Sequence, residues 1–179
     1  MNVAIVDYGM GNLRSVTKAC EQLGAVATVV DTPAAISGAE RLIVPGVGAF
    51  GDAMHELNRL GLVEPIREFA RSGRPMLGIC LGLQVLFESS EEAPGVQGLC
   101  LLPGTVKRFC AQALKVPHMG WNRLEARPSS RLLRGIAPAD AYVYFVHSYY
   151  VSPEDEAVIA ATTESVSYTH LTLPTIYSV

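Results

Sequence analysis

At 179 residues the chain is long enough to bury a sizeable core and too short for two ordinary domains, so one domain is expected. Its 14 Lys and Arg against 17 Asp and Glu give a net charge of -3, with no basic run. That balance argues against nucleic acid and anionic membrane as partners and points to a small-molecule ligand. Four cysteines without C-x-x-C spacing, no recognisable signal peptide, and no apolar stretch near the roughly 20 residues that span a bilayer predict a reducing, cytoplasmic setting.

Val3 to Val6 is a short apolar run closed by Asp7-Tyr8-Gly9, which predicts a strand. Leu13, Val16, Cys20 and Leu23 then recur at helical spacing, with Asn12 as N-cap and Gly24 just past the end. Further strands are predicted at Val26 to Val30, Arg41 to Val44 and Pro75 to Ile79. Ile66, Phe69 and Ala70 form a helical stripe with Pro65 in its first turn and Gly73 closing it. Strands alternating with helices predict an α/β, doubly wound, mostly parallel sheet with helices on both faces and ligands at the carboxyl ends of its strands. From about Val96 the texture changes to strand-like pieces at Leu99 to Leu102, Val106 to Phe109, Trp121 to Leu124, Tyr142 to Val151 and Val158 to Thr163, read as added antiparallel strands.

Gly78-Ile79-Cys80-Leu81-Gly82 falls where the fourth strand gives way to a helix beginning near Leu81. Glycines two residues either side of a nucleophile permit a sharp strand-to-helix turn that lifts the side chain clear of the sheet. The helix N-terminus beneath it would favour a thiolate, so Cys80 reads as a nucleophile for acyl transfer through a thioester. The plainer reading is a buried, inert cysteine. Pro45-Gly46-Val47-Gly48-Ala49-Phe50-Gly51, between a strand and a helix, contains G-x-G-x-x-G. It reads as a dinucleotide turn, as a tight turn without chemistry, or as a backbone cradle. In the cradle reading the N–H groups of Val47 and Gly48, with that of Leu81, hold an oxyanion. Cys20, Cys100 and Cys110 read as core residues, His55 as a surface helix residue and His118 as a loop residue. His147 reads as a strand histidine satisfied by its neighbours, or as a base for Cys80.

Taken in order, Tyr8-Gly9-Met10-Gly11-Asn12-Leu13, Pro45 to Phe50, Gly78-Ile79-Cys80-Leu81-Gly82-Leu83-Gln84, Pro117-His118-Met119-Gly120-Trp121-Asn122 and Phe145-Val146-His147-Ser148-Tyr149 resemble the class I (triad) glutaminase family. Within it they resemble the glutamine amidotransferase subunits of imidazole glycerol phosphate synthase, over residues 1 to about 164. The resemblance implies that Cys80 attacks the amide of L-glutamine, releasing ammonia and then glutamate. It implies that Gly48 and Gln84, with the backbone of Ser148 and Tyr149, hold the substrate. It implies no cofactor or metal, and a heterodimer with a (β/α)8-barrel cyclase subunit of histidine biosynthesis, with Asn12, Met119, Trp121 and Asn122 facing that partner. The alternatives are a glutaminase subunit of another synthase and a non-catalytic protein that docks on a barrel.

Family members complete the triad with His-Pro-Glu, a run this sequence lacks. After Glu164 the text matches nothing in the family, carries no Lys, Arg, Asp or Glu, and resembles translated adapter read-through. The expected organisation is therefore a domain over 1–164, incomplete at its C-terminus, with a foreign tail over 165–179. His170, in that tail, is not assigned as the base, and the chain as written is expected to be inactive.

Overall fold

In the chain's computed structural model the four strands of the parallel sheet are five-residue, mostly apolar segments. The described residues are 1–110, 116–128, 130, 132–137, 141–165, 168 and 169. They fall in two compact units, residues 1–102 and the described residues from 103 onward.

The first unit is a four-stranded parallel sheet of β1 (Asn2–Val6), β2 (Val26–Val30), β3 (Leu42–Gly46) and β4 (Met76–Cys80), in the order β2-β1-β3-β4. The central strands carry the core, and the burial of β1 and β3 is nearly continuous. Val3, Ile5 and Ile43 form one cluster with Ala25, against which Leu13, Val16 and Cys20 of α1 (Leu13–Gln22) pack. The alternate residues Ala4, Val6, Leu42 and Val44 are also buried, so both faces of the sheet are covered. Buried side chains of α2 (Pro33–Ser37), α3 (Phe50–Arg59) and α4 (Val63–Arg71) belong to the connections that run in the opposite direction from β1. Right-handed crossovers place them on the face opposite α1. The strand order therefore reverses between β1 and β3, which opens a crevice at their carboxyl ends.

Local signals set the boundaries. The Asn12 side chain accepts a hydrogen bond from the Ser15 N–H at 3.2 Å as the predicted cap, and Gly24 and Gly73 adopt φ of +76° and +74° just past α1 and α4. The helix expected after Cys80 is shorter than a typical amphipathic helix: α5 is the single turn Leu81–Gln84, followed by β5 (Phe87–Ser90). Leu99 to Leu101 is apolar but not a strand, because the Leu99 and Leu101 N–H groups bond back to the Val85 and Leu86 carbonyls at 2.7 and 2.9 Å. Cys100 and Cys110 are exposed, which corrects their assignment to the core. Cys20 is half-buried against the α1 side of the sheet.

In the second unit β6 (Leu102–Arg108) pairs antiparallel with β10 (Tyr149–Pro153), and β7 (His118–Arg123) with β9 (Tyr142–His147). β8 (Glu125–Ala126) pairs with β11 (Ala161–Thr162). His118 thus lies in a strand rather than a loop, the Tyr142 to Val151 stretch breaks at Ser148, and of the last predicted strand Ala161–Thr162 pairs with β8 while Ile159 takes part in an isolated bridge. A 3-10 turn over Glu156–Val158 takes up part of that apolar run. The short strands β12 (Glu164–Ser165) and β13 (Tyr168–Thr169) pair with each other. His170 lies outside the described residues.

Candidate active site

Cys80 ends β4 with φ 55° and ψ -115°, a backbone conformation that side-chain-bearing residues rarely adopt. The flanking glycines make this turn sterically possible. A Cβ at Gly78 would stand 2.7 Å from the Gly82 carbonyl oxygen and 2.7 Å from Leu83 Cα, and one at Gly82 would collide with the Val44 carbonyl oxygen. Leu81 and Leu83, both buried, anchor the single turn that follows. The predicted elbow is therefore present, built on backbone contacts that exclude side chains at both glycines.

The Leu81 N–H donates to the Cys80 sulfur and favours its thiolate, but burial acts more strongly and pushes the thiol above the ordinary cysteine value. This corrects the expected depression: desolvation of the sulfur outweighs the single N–H at the start of a helix one turn long. Access and ionisation separate here. The Cys80 residue is exposed to solvent, while protein packed about the sulfur withdraws water from the charged form.

Strand register brings the glycine-rich turn to the thiol, since Gly46 pairs with Cys80 across β3 and β4. Beyond it Val47 and Gly48 are exposed, Gly48 with φ +101° and the Met10 side chain beside it. The turn is anchored at both ends. At its start the buried Tyr8 hydroxyl donates to the Pro45 carbonyl at 2.7 Å. At its end the Phe50 N–H, in the first turn of α3, donates to the Glu92 carboxylate at 2.8 Å, the helix having no cap from its own Ala49. Sequence reading missed Tyr8 and Glu92; each meets its partner about 40 residues away, which no local pattern reports. Gln84 closes α5 and is half-buried.

The remaining sequence-predicted residues lie in the second unit, apart from Asn12, which is occupied as the α1 cap. The Ser148 carbonyl accepts from the Phe109 N–H at 3.0 Å, and the Tyr149 carbonyl lies 2.9 Å from His147 Nδ1. Burial holds His147 below the ordinary histidine value, and its Nε2 is buried without a hydrogen-bond partner among the described residues. Only half of its expected satisfaction by neighbours is met. Met119, Trp121, Tyr144 and Val146 share one exposed face of the β7–β9 ladder, with the Trp121 and Tyr144 rings packed edge-on at 5.6 Å. Asn122 belongs to the opposite face, where its side-chain oxygen lies 3.0 Å from His118 Nε2.

A model of the family described as glutamine amidotransferase class-I matches residues 4–179. The imidazole glycerol phosphate synthase subunit HisH of Moorella thermoacetica is 56% identical, over 90% of this chain and 76% of its own length. Its counterpart from Syntrophotalea carbinolica is 51% identical, over 90% and 81%, and that from Methanothermobacter thermautotrophicus 50% identical, over 93% and 82%. Among solved structures, a glutamine amidotransferase superposes with a TM-score of 0.71 at 18% identity, covering 98% of this chain and 89% of its own. PurLQS from Thermotoga maritima gives 0.65 at 17% identity, covering 96% and 77%, a likeness of fold.

Proposed function

The chain belongs to the glutamine amidotransferase class-I family, and from that premise we propose that it is the glutaminase subunit of an imidazole glycerol phosphate synthase. The observation that carries the reading is Cys80, raised on a left-handed backbone between two obligatory glycines, with the Gly46 turn in register beside it. In this reading the Cys80 thiolate attacks the side-chain amide carbon of L-glutamine. The carbonyl oxygen becomes an oxyanion held by backbone N–H groups of Val47, Gly48 and Leu81; the amide nitrogen then takes the proton given up by the Cys80 thiol, the C–N bond breaks as the thioester carbonyl re-forms, and ammonia leaves. Water then cleaves the glutamyl thioester to glutamate. Gln84 is the proposed substrate contact in the first unit, and Ser148 and Tyr149 are substrate contacts only as part of the family resemblance.

The partner in this reading is the barrel-shaped cyclase subunit, in a cytoplasmic heterodimer that uses the ammonia in histidine biosynthesis. The exposed Met119, Trp121, Tyr144 and Val146 face supports a docking surface, since apolar side chains gathered on one face of a ladder are rarely left to solvent. Asn12 and Asn122 join it only as part of the family resemblance. The proposed domain is residues 1–164. No helix among the described residues is long and apolar enough to cross a membrane.

The test is covalent and independent of turnover. The glutamine-mimicking electrophile 6-diazo-5-oxo-L-norleucine should modify Cys80, and L-glutamine should protect it. Cys100 and Cys110 are exposed as well, so the discriminating result is protection, not labelling alone. Labelling spread over the three thiols and indifferent to glutamine would refute the reading.

A further inference from the structure

Tyr8 is a fully buried phenol at the crevice between β1 and β3, and its hydroxyl hydrogen is committed to one acceptor, the Pro45 carbonyl. That carbonyl opens the turn that continues through Gly46, Val47 and Gly48. The phenol oxygen also lies 2.6 Å from where a Cβ of Gly46 would stand, so the same hydroxyl that holds the turn forbids it a side chain there. Gly46 in turn pairs with Cys80 in the sheet. A loop with glycines at 46 and 48 has little intrinsic stiffness, so an anchored Pro45 carbonyl, which fixes the Pro45–Gly46 peptide plane, sets the direction from which the loop departs.

We propose that Tyr8 is a positioning residue for the oxyanion loop: through its hydrogen bond to the Pro45 carbonyl it fixes the Val47 and Gly48 N–H groups beside Cys80. The proposal rests on the thiol-acylation reading above. Tyr8 does not itself exchange protons with substrate. Burial, assisted by the charge of a neighbouring Cys80 thiolate, pushes its phenol far above working pH, so it remains a neutral donor throughout.

The experiment compares two electrophiles on the full 179-residue chain. Iodoacetamide asks only for thiolate, whereas 6-diazo-5-oxo-L-norleucine also uses the donors that receive its carbonyl oxygen. In Tyr8→Phe the rate of Cys80 modification by the glutamine mimic should fall about five- to tenfold, the loss of one net hydrogen bond. The iodoacetamide rate and its pH midpoint should not move. Replacing Tyr8 with 4-aminophenylalanine, which restores an N–H donor at the same ring position, should return most of the lost rate. Parallel slowing with both reagents, or slowing with neither, would overturn the assignment. If Tyr8→Phe does not fold, the 4-aminophenylalanine variant carries the test alone. Its weaker donor should lower the ratio of the two rates by about twofold, and an unchanged ratio would overturn the proposal. Failure of glutamine-protected labelling in the wild-type chain would instead bring down the thiol-acylation reading, and this proposal with it.

Discussion

Substituting Gly82 by alanine tests the elbow without touching the thiol. The added Cβ would fall on the Val44 carbonyl oxygen, with the Val44 carbonyl carbon at 2.7 Å and the Pro45 carbonyl carbon at 3.1 Å. These neighbours are backbone of the central strand β3 and cannot swing aside as a side-chain tip would. Overpacking of this kind costs about 1–3 kcal/mol, and alanine in a helical turn returns up to about 1 kcal/mol over glycine. With backbone as the obstacle the net cost lies near the upper end, about 2 kcal/mol. At about 2–4 °C per kcal/mol for a chain of this length, the melting temperature should drop by about 4–8 °C. Two controls separate contact from conformation. Gly24→Ala, where φ is +76° and nothing lies within 4 Å, should cost about 1 kcal/mol through the backbone alone. Gly38→Ala, with φ -82° and its nearest contact at 3.4 Å, should be neutral or slightly stabilising. Calorimetry on the three variants reads the order directly. If Gly82→Ala melts within about 1 °C of Gly38→Ala, the close approach of α5 to β3 is wrong.

Other consequences are open to simpler measurements. Because burial holds His147 below its ordinary value of about 6.5, the unfolded chain takes up that proton first on acidification. Stability should be complete above about pH 6.5 and decline as the pH falls toward the folded value, and His147→Gln should flatten the plot of melting temperature against pH; identical acid slopes would contradict this. Trp121, 69% exposed, should tolerate alanine with a stability change within about 0.5 kcal/mol. The same change should weaken binding to the cyclase subunit by about 2 kcal/mol in titration calorimetry, and unaltered binding would remove Trp121 from the interface. Cys80→Ala should lower glutamate release by the chain on the order of 10⁴ to 10⁶, the cost of losing the nucleophile of a hydrolytic triad, and release unchanged in that variant would refute the nucleophile assignment.

The first half of the chain was legible because its signals are local. Apolar pentamers, the Asn12 cap, the Gly24 and Gly73 stops and the Gly78-x-Cys80-x-Gly82 spacing each act within a few residues, and each lies where the sequence places it. What sequence alone could not supply was anything decided across the fold. Desolvation of the Cys80 sulfur outweighs the Leu81 N–H that favours its thiolate, and no residue in 78–84 announces that burial. Tyr8 and Glu92 bind the same turn from partners distant in sequence. In the second half, alternation along Met119 to Asn122 distinguishes two faces, and only pairing with Tyr142–His147 shows which of them is covered.

A residue held at φ 55° carries a penalty of order 1–3 kcal/mol that glycine would not incur. Cys80→Gly should therefore raise the melting point of the chain while deleting its nucleophile. Selection for robustness alone, whether by drift in a lineage that no longer needs the reaction or by a laboratory screen that rewards heat resistance, would favour losing this cysteine. A sequence that retains it at such a backbone angle is being held there against a thermodynamic gradient.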